Sequence, residues 1–368
     1  MLGIGFDSGG SRTSYDLHSD EGPLDVSGNE IGASISNSRD VGSTQRAITW
    51  MIEVIRAQDD PDICAWIGAA GFSASTASSI VQQFSEPMRE LGTWMEEQDR
   101  HCEVFLANDA VAILKAPPLL GTGVVAVIGT GSVVMGAHPM CTDGVIKRGG
   151  YEWLISDEGA GVWITIQCAR LLLADIQMRG PREYHSALLD RLADYLGIGE
   201  EEIADVPASH RALAKIDLVA RRLAASRPDT KRFLARFVHP HVFDLAALEP
   251  GRAHDPIAAE VLNQSVEHFV DNIGAVAEIL AAHTADEPNL REKVPLVVGG
   301  SIAANPLYAQ MLRNRISSST RFVSSIDLIG DAADEYAALG LQYLQSDDRA
   351  RRTIARSFDP LHPVVRLL

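Results

Sequence analysis

Basic residues are scarce in this chain: 32 Lys and Arg stand against 49 Asp and Glu, a formal charge of −17 at pH 7. A nucleic acid or an anionic membrane would be repelled across much of such a surface, so neither is an expected partner. A phosphate group bound here has to be held by local amides and a metal. Cysteine is scarcer still. The four present (Cys64, Cys102, Cys141, Cys168) form no C-x-x-C pair and no metal-ligand spacing. That argues against a disulfide framework and a zinc site, and leaves reduced thiols of the kind a cytosolic protein carries. Long apolar runs are missing as well. No stretch reaches membrane-spanning length, and Met1 to Phe6 enters a strand-like run without a basic leader, so neither export nor anchoring is expected.

What is present is enough apolar material for two full cores: 46% of the 368 residues are hydrophobic and 22% are charged. Leu2 to Phe6 reads as a strand, Asp7-Ser8-Gly9-Gly10-Ser11-Arg12-Thr13 as a Gly-rich hairpin tip, and Ser14 to Leu17 as the returning strand. A helix is expected over Asp40 to Ala57 and a buried strand over Ile63 to Ile67. Ser75 to Met95 reads as a helix interrupted near Pro87, and Val104 to Ala107 as a strand that delivers Asn108-Asp109. Pro117-Pro118 and Gly121-Thr122-Gly123 mark a boundary. Beyond it Val124 to Ile128, Gly129-Thr130-Gly131-Ser132 and Val133 to Gly136 repeat the pattern of strand, Gly-rich tip and strand. Long amphipathic patterns fill Gly159 to about Ala282. Val294 to Val298 is a buried strand ending in Gly299-Gly300-Ser301; a helix over Pro306 to Ile316, a strand over Arg321 to Val323 and a helix over Ala332 to Leu344 follow. The domains are therefore expected at 1–118, at 119–346, and in a basic tail at 347–368.

Two glycine tips, one per lobe, suit a nucleotide triphosphate, because glycine lets backbone N–H groups approach phosphates and the hydroxyls add donors. Each tip is also what an ordinary hairpin turn would use. Asp7, at a strand end, is placed to hold Mg²⁺ through water, or is a turn residue. Asp109 either reaches the cleft or caps the helix that follows. If a phosphoryl group passes to an alcohol, one carboxylate must accept the hydroxyl proton, and Asp109 is the best-placed candidate. The segment Gly149-Gly150-Tyr151-Glu152-Trp153 to Ser156-Asp157-Glu158-Gly159 joins aromatics that cover sugar ring faces to carboxylates that accept diol hydrogen bonds. The alternative is a loop ending in an acidic helix start.

In their order these motifs resemble those of the N-acetylglucosamine kinases and the related BadF/BadG/BcrA/BcrD-type ATPases, over about Leu2 to Leu344. The resemblance implies an α/β fold of two ribonuclease-H-like (actin-like ATPase) lobes, a nucleotide cleft between them and a helical insertion in the second. It implies ATP and Mg²⁺ as cofactors and a sugar as acceptor. Gly9, Gly10, Ser11 and Thr13 would form the first phosphate motif, Gly129, Thr130, Gly131 and Ser132 the second, and Gly299 and Gly300 the adenosine motif. The resemblance also implies Asp109 as catalytic base, with Asn37, Asn108, Tyr151, Glu152 and Asp157 around the sugar. The chain departs from the family where Gly150-Tyr151-Glu152 replaces Gly-Trp-Gly, Ser156 replaces a glycine, and Ser8 and Ser11 flank the first tip. Glu152 adds a carboxylate that either pairs with an amine, favouring free glucosamine, or faces solvent.

The expected activity is phosphorylation of N-acetylglucosamine or glucosamine at the 6-hydroxyl. Two other classes stand beside it. One is an energy-coupling ATPase that activates an iron–sulfur reductase, although no cysteine lies near Gly129-Thr130-Gly131. The other is a non-catalytic sugar sensor acting on transcription, against which a strand at Leu2 and the negative charge both weigh. The acceptor sugar and the oligomeric state stay open, with a homodimer among the states.

Overall fold

A computed structural model describes the chain except residues 10–11, 36–40, 142–143, 152, 182–183, 226–229, 248–253, 286–290, 331 and 359. The first half runs β1 (Leu2–Ser8), β2 (Arg12–Ser19), β3 (Gly22–Ile31), α1 (Val41–Arg56), β4 (Asp62–Ala69), α2 (Ala74–Glu97), β5 (His101–Asn108) and α3 (Asp109–Lys115). The second opens with β6 (Gly123–Ile128), β7 (Ser132–Ala137) and β8 (Ile146–Gly149). A helical stretch follows: α4 (Gly161–Arg179), α5 (Ala187–Tyr195), α6 (Arg211–Ala224), α7 (Thr230–Arg236), α8 (Phe243–Ala246) and α9 (Pro256–Ala282). The chain closes with β9 (Val294–Gly299), α10 (Pro306–Ser319), β10 (Val323–Leu328), α11 (Ala332–Gln345), α12 (Asp348–Ala355) and β11 (Val365–Arg366).

The pattern read twice in the sequence is a repeated topology. One sheet has the order β11-β5-β4-β1-β2-β3 and the other β10-β9-β6-β7-β8. In each, three antiparallel strands form a meander and two more lie parallel to its first strand. This is the ribonuclease-H-like arrangement, present twice.

The alternation in β1 explains how the layers stack. Leu2, Ile4 and Phe6 face a core shared with α1 and α2, including Met51, Ile55, Phe84 and Leu91, as the two-residue period of a strand requires. Gly3 and Gly5 face α11. A methyl on Gly5 would stand 1.8 Å from Ala333 O, and one on Gly3 2.1 Å from Ala337 O, so the helix backbone rests directly on the strand. Helices α3 and α11 form the middle layer between the sheets. Trp66 and Phe105 reach it from the first sheet, Val125, Met135 and Val297 from the second, and Ile113, Tyr336 and Leu339 from the helices. The outer face of the second sheet packs on α4, α9 and α10 through Val134, Ile164, Phe269, Ile273 and Leu312.

Three sequence expectations change. Helix α2 runs unbroken through Pro87. A proline inside a helix costs about 3 kcal/mol, and the burial of Ile80, Phe84, Met88, Leu91 and Met95 along one stripe outweighs it. The strand expected at Arg321 to Val323 lies at Val323–Leu328, where it extends the parallel ladder beside β9. The tail has structure too: α12 is followed by β11, which pairs with β5, and Leu367 N donates to Val104 O at 2.7 Å. Among the described residues no helix is long and apolar enough to cross a membrane.

Candidate functional site

The parallel strands of the first sheet end in register, with Ser8 opposite Ala69 and Ala69 opposite Asn108. Asp7 and Asn108 therefore sit at neighbouring carboxyl ends, two strand spacings or about 10 Å apart. Open α/β sheets place their ligands at such ends. Asn108 caps α3, its Oδ1 accepting from Ala110 N at 3.1 Å. Asp109 is the first helical residue, and its Oδ1 accepts from the same N–H at 2.9 Å. Asp109 thus supports the helix start and is half-buried. Burial raises its pKa, opposed by the Ala110 hydrogen bond and by the charge of Lys147.

The first glycine tip is sewn down by hydroxyls. Ser8 Oγ accepts from Ile35 N at 2.6 Å and shares a 3.1 Å bond with Thr13 Oγ1, which donates to Ala33 O at 3.0 Å. Ser34 Oγ donates to Gly9 O. Thr13, expected on the nucleotide side, is thus fully buried and fastens the hairpin to the segment after β3. Gly9 is half-buried with open space around it, the nearest atom to an added methyl lying 3.9 Å away. Gly10, Ser11 and Asn37 lie outside the described residues.

The second tip is held by main chain. Gly129 N donates to Gly131 O at 2.9 Å, and Gly161 N, at the start of α4, donates to Gly129 O at 2.8 Å. Thr130 is half-buried at its apex. Ser132 Oγ donates to Glu158 O at 3.2 Å. Gly131 lies against Asp157: an added methyl would stand 2.7 Å from Asp157 Oδ2. Asp157 is 3% exposed and adopts φ +78, a left-handed conformation that costs a non-glycine residue about 1 kcal/mol. Such strain is kept where the surroundings require the geometry. Here they include Ser265 of α9, whose buried hydroxyl donates to Gly159 O at 2.7 Å and shares a 2.8 Å bond with Tyr308 of α10. Gly299 and Gly300 end β9 beside this tip, where Ile302 N donates to Ile128 O at 3.1 Å and Ser301 Oγ faces Gly129.

The loop after β8 brings Tyr151 to the surface, 57% exposed, with Leu154 and Ile155 more exposed still. Tyr151 N donates to Ser156 Oγ at 2.9 Å, so the serine that departs from the family pattern closes this turn. Glu152 lies outside the described residues. Lys147 was not singled out from sequence, because a lone lysine in a short strand reads as a solvated charge. In the structure it is half-buried and its charge is felt by both Asp109 and Asp157. The carboxylate of the first sheet and that of the second therefore share one electrostatic neighbourhood.

No protein-family model matches the chain, and no curated protein matches it in sequence. Solved structures do. A provisionally named N-acetylglucosamine kinase from Chromobacterium violaceum superposes with a TM-score of 0.55 at 20% identity, covering 93% of this chain and 99% of that one. Another from Porphyromonas gingivalis gives 0.54 at 16% identity, covering 90% and 96%. The chain shares their fold. With the repeated sheet order, this is the two-lobed α/β fold that the motif order implied. The alignment runs over nearly the whole of both chains, so the helical stretch α4 to α9 lies within the compared span.

As a cradle for phosphate oxygens the second tip fits. Its glycines expose main chain at strand and helix ends, and a side chain at Gly131 would fill the space beside Asp157. Among the described residues no three His, Cys, Asp or Glu side chains gather as a metal cage. Mg²⁺ asks for less, taking one or two carboxylates with water and substrate phosphates, and Asp7, half-buried one residue before the end of β1, has the donor chemistry for it.

Proposed function

We propose that this protein is an ATP-dependent amino-sugar kinase that phosphorylates N-acetylglucosamine or glucosamine at the 6-hydroxyl, with Asp109 as general base. The observation that supports the reading is that Gly131 lies against the buried Asp157 and that the charge of Lys147 acts on both Asp157 and Asp109. In this reading Asp109 is the proton acceptor, Asp157 the sugar-binding carboxylate and the Gly131 tip the phosphate cradle.

On this view Gly9 and, at the second tip, Thr130 and Gly131 bring backbone N–H groups to the phosphates with the Ser132 region holding the tip, while Gly299 and Gly300 leave room for the adenosine. Asp157, in a loop that Ser265 fastens at Gly159, accepts hydrogen bonds from sugar hydroxyls. Tyr151 covers a ring face, and Asn108 orients the base by holding the start of α3. Asp109 accepts the proton of the attacking hydroxyl, and its half-buried setting keeps competing water away. Mg²⁺, held near Asp7 and by the phosphates, would supply charge neutralisation on the transferred group. The iron–sulfur activator alternative gains nothing from the structure, because all four cysteines are buried and cannot reach a cluster shared between subunits.

The test is sugar-dependent ADP release with Mg²⁺-ATP against N-acetylglucosamine, glucosamine, N-acetylmannosamine and glucose, comparing wild type with Asp109→Asn. One sugar should be turned over, and the variant should lose about 10²- to 10⁴-fold in kcat. Folded protein that binds ATP yet is silent with every sugar would overturn the proposal.

A further inference from the structure

Lys147 is the one cation among the described residues whose charge reaches both site carboxylates, and the reaction as written gives it no task. It lies opposite Met135 in the β7–β8 ladder. Residues directly opposite share a face of the sheet, and Met135 belongs to the middle layer with α3. Lys147 therefore points to the side from which Asp109 comes, while its neighbour Ile146 packs on the outer core below α9.

Its ammonium folds back over the turn that follows. Nζ donates to Gly150 O at 3.0 Å and stands 4.3 Å from the centre of the Tyr151 ring. The stem packs on the same turn, Cε lying 3.2 Å from where a methyl on Gly150 would be. An ammonium is strongly hydrated and half-burying it is costly. Burial pushes its pKa down, and Asp157 and Asp109 push it back up. Among the described residues these two are the charged groups that act on it, one from the loop before α4 and one from α3.

We propose that Lys147 is a positioning residue of the sugar site: it holds Tyr151 through Gly150 O and the ring face, and its charge acts on Asp109 and Asp157 from the same face of the second sheet. The first task acts on sugar affinity. The second opposes the desolvation of Asp109 and so favours the ionised base. Both tasks rest on the kinase reading, but the electrostatic one is measurable without turnover.

Two variants of the full chain test it, Lys147→Met and Lys147→Arg. With Lys147→Met, KM for the sugar should rise about tenfold from loss of the ring contact. KM for ATP should stay within about twofold, a split that general loosening would not give. The acid limb of kcat/KM should move to higher pH, and Lys147→Arg should restore that limb because it keeps the charge. In parallel, the Asp109 carboxyl is titrated by carbon NMR in wild type and Lys147→Met. An upward shift in the variant is expected. If the titration does not move, or KM for sugar and for ATP rise together, the inference is wrong even though the kinase reading stands. If the titration moves but wild type turns over no sugar, the kinase reading fails and the electrostatic role survives.

Discussion

The two sheets share a strand order and differ in how they meet the helices between them. On the inner face of β1 there are glycines, and α11 lies with its backbone against the strand. On the inner faces of β6 and β7 stand Val125 and Met135, and α3 is held off by side chains. Equal topology thus sits on unequal contact: one half is fitted by main chain, which cannot yield, and the other by side chains, which can repack. The tips reverse the pattern. The first is tied by the hydroxyls of Ser8, Thr13 and Ser34, the second by backbone bonds at Gly129 and Gly161.

The largest effect should come from breaking the first contrast. Gly5→Ala puts a methyl 1.8 Å from Ala333 O, a clash that neither β1 nor α11 can relieve by a rotamer change, and should cost about 3 kcal/mol or more. Val125→Ala, its counterpart in the second sheet, removes buried methyl groups and should cost about 2 kcal/mol. Urea midpoints compare the two at unchanged m-value. If Gly5→Ala were the milder change, α11 would not be seated on β1 as described.

The sites differ in the same sense. Gly131→Ala drives a methyl to 2.7 Å from Asp157 Oδ2, whereas Gly9→Ala meets nothing nearer than 3.9 Å. Asp157 has little freedom to retreat, being buried and held at positive φ. Gly131→Ala should therefore raise the sugar KM about tenfold or lower kcat to match, a change of about 1.4 kcal/mol. Gly9→Ala should stay within about twofold in both constants. Equal losses would mean that the first tip approaches its ligand as closely as the second.

The hydrophobic runs made the duplicated architecture readable. β6, β7 and β9 fall within a few residues of expectation, and α4 to α9 fill the stretch read as amphipathic, because each carries a continuous or periodic apolar pattern. β3 carried no such pattern. It is a ten-residue edge strand of mostly exposed residues such as Pro23, Asp25 and Ser27, and its only partner is β2. β11 is two residues long and exists because the edge of β5 awaits it. Leu2 to Phe6 was legible as a strand, and the position of α11 shows why side chains are absent at Gly3 and Gly5. At the site, the motifs placed Asp109 and Asp157 at strand and loop ends, but not their shared neighbourhood. Nothing in a sequence links residue 109 to residue 157 through Lys147, because that link is made by two sheets facing each other. Thr13 shows the opposite case: a hydroxyl in a phosphate-like motif that the structure uses as a buried fastening.

The smallest expected effect concerns the two carboxylates, one set by its solvation and the other by its backbone. The folded-state pKa of Asp109 is raised, chiefly by burial. A carboxyl raised in this way binds its proton more tightly in the folded chain than in the unfolded one. Its contribution to stability is full below the unfolded pKa of about 3.9 and is lost as pH rises through the folded value. At pH 7 the ionised Asp109 therefore works against the fold, and Asp109→Asn should be more stable than wild type while losing turnover. Near pH 3.5 the advantage should vanish. Denaturation midpoints across that interval measure it. The opposite order at pH 7 would mean that the Ala110 hydrogen bond and the Lys147 charge together outweigh burial. Asp109 would then be a carboxylate that the fold prefers ionised.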